Sequence, residues 1–301
     1  MSVLITGGTG WIGSHLIPHL SAPLVVSRNA ESAKRKTGLP VDQIIECEIG
    51  SGLIPSQRLS GVTSVVNLVG ESIAEGRWTA DKKKSLRDSR IQTTENLVNS
   101  LMQANTLPDV CVSASATGYY GERGDDVLVE SDPAGKDFLS QICLDWEKAT
   151  QPLVDAGVRV CHIRIGIVLG KGGGAMKTML PPFRLGAGGR LGSGKQWMSW
   201  IHLDDLVQMI LFLLNQSACT GPFNGTSPNP VRNNQFTKAM GAALGRPTFM
   251  FVPQTALRIA IGEFANFLFA SQRVLPSAFE NAGFTYQFPD IESALADIVA
   301  P

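Results

Sequence analysis

The chain has 301 residues, 44% hydrophobic and 17% charged, with 26 basic side chains balancing 26 acidic ones. That balance leaves no electrostatic footprint for nucleic acid or an anionic membrane, and no apolar run approaches the ~20 residues that span a bilayer. The length fits one domain with a smaller appendage.

Val3-Leu4-Ile5 is a short apolar run suited to a buried strand. It feeds into Thr6-Gly7-Gly8-Thr9-Gly10-Trp11-Ile12-Gly13, and helical spacing follows over residues 14–20. Strand, glycine turn and helix in that order form the context of a dinucleotide-binding turn. Gly7 permits the turn, Gly10 lets backbone N–H groups approach a pyrophosphate, and Gly13 lets the helix pack against the strand. Thr9, Trp11 and Ile12 complete the candidate phosphate-binding segment. A chain that opens on a core strand is expected to carry no cleaved signal peptide.

Leu24-Val25-Val26 reads as a second strand ending at Ser27-Arg28. An acidic residue at this point would accept hydrogen bonds from the ribose 2′-hydroxyl of NAD. Ser27 and Arg28 stand there instead, with Lys34, Arg35 and Lys36 behind, and a guanidinium suits a 2′-phosphate. NADP(H) is therefore the expected cofactor.

Residues 43–49 and 64–69 read as third and fourth strands. The fourth ends in Leu68-Val69-Gly70, where the cofactor would lie against the backbone. Residues 81–105 read as one long helix. Arg90 within it would reach the cofactor or form a surface ion pair, and the lysine run 82–84 is a solvated face. Residues 110–113 make a fifth strand, 137–156 a second long helix and 159–165 a sixth strand. The alternation indicates an α/β fold, a Rossmann doubly wound parallel sheet.

After Gly166 come two glycine-dense stretches, 170–174 and 186–194, around Met179-Leu180-Pro181-Pro182-Phe183; they read as substrate-binding loops and a lid. A helix over 204–215 with Asp204 as its cap, a short strand at Phe223-Asn224, a helix over 234–244 closed by Gly245, and a last helix capped by Asp290 complete the chain. The expected division is a Rossmann domain over 1–168, with segments near 200–226 returning to it, and a smaller C-terminal α/β substrate lobe over 169–301. His15 and His19 lack an acidic third ligand and read as surface residues, so no metal is expected. Trp197 and Trp200 would stack a base or sugar, or pack in the core. The cysteines (Cys47, Cys111, Cys143, Cys161, Cys219) are scattered and read as small hydrophobes in a reducing cytoplasm.

Thr-Gly-x-x-Gly-x-x-Gly at residues 6–13 resembles the extended short-chain dehydrogenase/reductase superfamily, the branch of nucleotide-sugar epimerases and dehydratases. Ser115-Ala116-Thr117-Gly118-Tyr119-Tyr120-Gly121, the stretch 164–170 and Trp200-Ile201-His202-Leu203-Asp204-Asp205 resemble the same group. Asn67-Leu68-Val69-Gly70-Glu71, Arg77-Trp78, Asp145-Trp146-Glu147 and Gln272-Arg273-Val274-Leu275-Pro276 are similar to its subgroup often labelled cell-division-inhibitor-like, with a short C-terminal domain. The resemblance implies an NADP-binding oxidoreductase or epimerase whose cofactor also meets Val168. It implies Ser115 orienting a substrate oxygen, and homodimers through the two long helices.

The resemblance breaks at the base. Short-chain dehydrogenases use Tyr-x-x-x-Lys on one helix, the lysine holding the tyrosine ready to exchange a proton. Four residues beyond the three tyrosines stand Arg123, Gly124 and Asp290, and aligned on Trp146-Glu147 the expected positions hold Leu139 and Cys143. Tyr119 or Tyr120 would supply a phenol, or both would pack over the nicotinamide. Three readings follow: hydride transfer on a small polar or nucleotide-linked substrate, a nucleotide-sugar epimerase, and a non-catalytic NADP(H) sensor or interaction protein.

Overall fold

The computed structural model describes residues 2–105 and 107–300. The first part of the chain supplies β1 (Ser2–Thr6), α1 (Trp11–Leu16), β2 (Ala22–Ser27), α2 (Ala30–Thr37), β3 (Ile44–Glu46) and β4 (Ser64–Asn67). It continues through α3 (Ala80–Asp88), α4 (Ile91–Gln103), β5 (Val110–Ala116), α5 (Phe138–Lys148), α6 (Gln151–Asp155) and β6 (Arg159–Ile165). Then come α7 (Met176–Arg184), α8 (Leu203–Asn215), β7 (Gly221–Gly225), α9 (Asn233–Leu244) and α10 (Gln254–Ile261). The C-terminal helices are α11 (Phe264–Phe269), α12 (Ser277–Asn281) and α13 (Ile291–Val299).

β1 to β7 form one parallel sheet in the order β3-β2-β1-β4-β5-β6-β7. Alternation along each strand supplies both faces. Val3, Ile5, Val66, Val112 and Ile163 join the cluster under α1 and α8, whereas Leu4, Val65, Cys111 and Val160 meet Leu97, Leu101 and Leu153 of α4 and α6. Strand order reverses between β1 and β4, which opens a crevice at their C-terminal ends, the place where open α/β sheets bind ligands.

A buried polar hub ties that crevice together. Asn67, at the end of β4, accepts from Thr6 Oγ1 at 2.6 Å and donates to Thr94 Oγ1 at 2.8 Å and Ser113 Oγ at 3.1 Å. Trp146 Nε1 of α5 donates to the same Thr94 hydroxyl at 3.0 Å. Three strands and two helices are thereby set in one register.

The lobe has its own core, built from Met176 and Phe183 of α7, Phe236 and Met240 of α9, Leu295 and Ile298 of α13, and Met198 and Trp200 from short strands between them. Trp200 is fully buried in it, which decides for packing over stacking. The division between domain and lobe is not clean, because Phe279 of α12 packs into the core under the main sheet.

Several sequence expectations need correction. The long helix over 81–105 is two helices, because Ser89 and Arg90 turn to hold Glu71: its N–H donates to Ser89 Oγ and its carbonyl accepts from Arg90. The helix over 137–156 is likewise α5 and α6, since Pro152 has no N–H with which to continue the first. Met179 to Phe183 lie within α7, a helix despite Pro181 and Pro182, because Met176 and Phe183 anchor it in the lobe core. The cap of α8 is His202, whose Nδ1 accepts from the Asp204 N–H at 3.2 Å; Asp204 lies in the first turn. Asp290 precedes α13 without a side-chain capping bond, its carboxylate accepting from Asn229 instead.

Replacing Asn67 by Leu should strip partners from three buried hydroxyls and lower stability by about 2–4 kcal/mol in urea unfolding. A loss below 1 kcal/mol would remove the hub from its structural role.

Candidate cofactor and catalytic site

The glycine turn is closed so tightly that only glycine fits at its ends. Gly7 has φ +73°, and a Cβ there would lie 2.6 Å from the Leu68 carbonyl oxygen; a Cβ on Gly13 would lie 2.5 Å from that of Gly7. Gly7 thus brings the Leu68-Val69 backbone, just after β4, against the turn. Gly10 is exposed, and a Cβ there would meet only the Gly7 carbonyl oxygen, at 3.1 Å. It precedes α1 with no side-chain cap, so the first helical N–H groups remain available to an anion. Thr9 and Ile12 are half-buried beside them.

Trp11 has a different place from the one expected. Its indole fills the concave side of the 170–174 stretch: a Cβ on Gly170, Gly173 or Gly174 would come within 3.0, 2.4 and 2.3 Å of ring atoms. Glycine density there serves close wrapping of an aromatic ring. Val168, in the short strand Ile167–Leu169 paired with Trp200–His202, borders the same packing.

Ser27 and Arg28 close β2 at the crevice edge. The Arg28 side chain is 81% exposed, with Glu48 at 4.0 Å, which leaves the guanidinium open to a phosphate. Lys34, Arg35 and Lys36 lie in the last turn of α2, where they complement the helix dipole. They stand at the far end of that helix from Arg28. Gly70 is covered by Arg90: a Cβ there would lie 3.2 Å from the guanidinium carbon. Arg90 donates to the carbonyls of Leu86 at 3.0 Å and Glu71 at 2.8 Å. It therefore braces the Gly70–Glu71 turn, and among the described residues it makes no ion pair. Burial lowers the pKa of this guanidinium from its ordinary value, opposed by the Glu71 carboxylate.

Next to this groove lies a buried polar network that the sequence did not announce. Ser115 is 2% exposed, and its hydroxyl donates to Glu147 Oε1 at 2.7 Å. Arg164 of β6 grips the same carboxylate with two bonds, Nε to Oε1 and a terminal nitrogen to Oε2, each at 2.9 Å. It also donates to Tyr120 Oη at 3.0 Å and the Glu130 carbonyl at 3.1 Å. Burial opposes charge on Arg164, but the Glu147 carboxylate outweighs it and holds the guanidinium protonated above its usual range.

Both adjacent tyrosines meet this arginine, in different ways. Tyr120 is fully buried, its phenol donating to Asn224 Oδ1 at 2.7 Å, and burial pushes it up to about 12 against the pull of Arg164. An enclosed phenol with both partners assigned is no substrate acid, so the expectation for Tyr120 is corrected. Tyr119 is half-buried, its ring lies 3.5 Å from the Arg164 guanidinium carbon, and its hydroxyl has no hydrogen bond among the described residues. Leu139 and Cys143 occupy the face of α5 beside Gly118. Burial pushes the Cys143 thiol up to about 12, so it is no thiolate. The signal for Glu147 in the sequence is its place in the Asp145-Trp146-Glu147 stretch.

Among the described residues no group of three His, Cys, Asp or Glu could hold a metal ion, and no helix is long and apolar enough to cross a membrane. His15 is exposed, its Nδ1 2.8 Å from the Trp11 carbonyl oxygen.

The profile of the NAD dependent epimerase/dehydratase family matches residues 3–224. The chain belongs to that family. Residues 252–298 match a domain of unknown function, DUF1731. An epimerase family protein of Mycobacterium bovis is 43% identical over 97% of this chain and 96% of its own length. The crystal structure of human epimerase family protein SDR39U1 with NADPH superposes with a TM-score of 0.89, at 34% identity and 99% coverage of both chains. A nucleoside-diphosphate sugar epimerase from Corynebacterium glutamicum gives 0.79 at 32% identity, covering 99% of this chain and 58% of that one. Epimerase-family architecture, a Rossmann sheet with a smaller C-terminal domain, is thus established for the whole chain.

Two predictions follow from the polar network. Glu147→Ala should cost about 3–5 kcal/mol in urea unfolding, because it strands a buried guanidinium; adding Arg164→Met should recover part of that loss. Simple addition of the two losses would show that the residues are not coupled. The second concerns pH. Burial lowers the pKa of His162 and His202 below the ordinary histidine value. The unfolded chain then binds the protons first, so this contribution is complete above about pH 6.5 and is lost as the pH falls through the lowered folded values. The melting temperature should drop below pH 6.5, and His162→Gln should flatten that drop; an unchanged slope would exclude His162 as its source.

Proposed function

We propose that this chain is an NADP(H)-dependent oxidoreductase of the epimerase family, moving hydride at a carbonyl or carbinol carbon of a small polar or nucleotide-linked substrate. The observation that carries the cofactor choice is Arg28, at the crevice end of β2, exposed and, among the described residues, with no carboxylate nearer than 4.0 Å. An acidic side chain at that point would repel a 2′-phosphate. NADPH in the human relative supports the same choice.

The residues present fit this cofactor. The uncapped start of α1 and the N–H groups around Gly10 suit the pyrophosphate, while Ser27 and Arg28 suit the 2′-phosphate. When bound, the cofactor supplies the hydride. What the chain adds is position and proton transfer. Tyr119 presents a half-buried phenol with no hydrogen bond among the described residues, and Arg164 holds its ring from beneath. Ser115 points its proton at Glu147, so toward any substrate oxygen it offers lone pairs. A cytosolic location goes with this reading, supported by five free thiols.

A second reading, a non-catalytic NADP(H) sensor, has its own support. Leu139 and Cys143 replace the tyrosine–lysine pair, and the Ser115 hydroxyl is engaged inside the fold. The absent pair is worth roughly 10²–10⁴-fold in acid–base help. Turnover of any carbonyl in a substrate panel would decide against the sensor.

Titration with NADPH and NADH tests the cofactor. Arg28→Asp should weaken NADPH by roughly 10- to 100-fold, the worth of a charged hydrogen-bonded pair, and leave NADH nearly unchanged. Equal loss for both nucleotides, or for neither, would refute the phosphate role of Arg28.

A further inference from the structure

The hairpin of α10 and α11 is held at its two ends, where Phe269 also packs against Gly192, and at one place between them. Before it, Met250–Val252 pairs with Gly189–Leu191. After it, Ser271 Oγ donates to the Gly124 carbonyl at 2.5 Å and Gln272 Nε2 to that of Gly121 at 3.0 Å. Between these anchors α10 buries no residue, Ile259 is 75% exposed, and α11 buries Ala265 alone. Gly262, at φ +68°, makes the bend between the two helices.

The point in the middle is an aromatic cluster on the Rossmann side. Trp78 lies between Phe138 of α5 and Phe264 of α11, with ring centroids 5.6 and 5.9 Å away. Lys83 pairs with Glu263 at 2.7 Å and sits 5.1 Å over the Phe138 ring. Arg77 donates to the Ile259 carbonyl. Phe138 adjoins Leu139, which packs against Gly118 in the turn that carries Tyr119. The cluster therefore joins the C-terminal segment to the turn that carries Tyr119.

We propose that the α10–α11 hairpin is a lid over the substrate side of the crevice, latched by Trp78, Phe138 and Phe264 with the Lys83–Glu263 pair. A helix pair that fully buries only Ala265 opens at low cost, and one aromatic contact with a half-exposed ion pair is a latch that thermal motion releases. Opening admits ligand; closing seats Phe264 on Trp78 and excludes water from Tyr119. This proposal rests on the cofactor reading above for what lies beneath the lid.

Hydrogen exchange and stopped-flow NADPH release, on wild type and Phe264→Ala, test it together. In wild type, residues 254–269 should exchange much faster than α4 and slow when NADPH is added. Phe264→Ala should raise exchange over 254–269 alone and speed NADPH release roughly two- to tenfold, the size of one aromatic pair. The surface variant Glu263→Gln should act in the same direction and serves if the first fails to fold. Exchange as slow as that of α4, or faster exchange without faster release, would overturn the lid. Failure of wild type to bind NADPH would sink the cofactor reading by itself, and the exchange comparison would still decide the latch.

Discussion

The molecule is organised around one buried guanidinium. Arg164 meets Glu147 of α5 with two bonds, Tyr120 with a third and the Glu130 carbonyl with a fourth, while its flat face lies under Tyr119. A charge in that position, 3% exposed, is tolerable only if every donor finds an acceptor. Meeting that demand pins β6, α5, the end of β5 through Ser115, and the 119–130 loop in a single arrangement. Tyr120 passes the constraint on to Asn224 of β7, and Asn224 Nδ2 to the carbonyl of Leu275 in the C-terminal segment. The network is thus also the joint between domain and lobe.

Glycines set the second constraint. At Gly7 and Gly13 they let three backbone segments meet at the crevice, and in the 170–174 stretch they let the chain wrap the Trp11 indole. Both uses are close approach, but one leaves backbone N–H groups free and the other seals a ring. Glycine density alone does not distinguish a ligand loop from a packing loop. That is why a stretch that reads as a substrate loop closes on a tryptophan instead.

Much of the fold was legible because it rests on local signals. The apolar runs at Val3-Leu4-Ile5 and over 159–165, the turn at Gly7 to Gly13 and the absence of an acid at Arg28 each report on neighbours a few residues away. Legibility failed wherever a distant partner decided the outcome. Helix spacing runs on through 81–105, and the break at Ser89-Arg90 comes from Glu71, which lies outside the helix. Asp204 looks like a cap until His202 takes that role and Asp205 turns to the N–H groups of Gln287 and Phe288.

By itself, then, the sequence determined the parallel sheet, the position of the glycine turn at its crevice, the basic residue at the end of β2 and the loss of Tyr-x-x-x-Lys. Each follows from residue type and spacing within one βαβ unit, where the chain's geometry leaves few alternatives. Only the tertiary structure decided what stands in the vacated place. Tyr119 and Tyr120 are adjacent and chemically identical, yet one ring lies half-open over Arg164 and the other is enclosed beside Asn224. Their difference comes from groups 44 and 104 residues away, brought near by sheet pairing. Burial and counter-charge are properties of the assembled core, and no spacing rule along the chain encodes them.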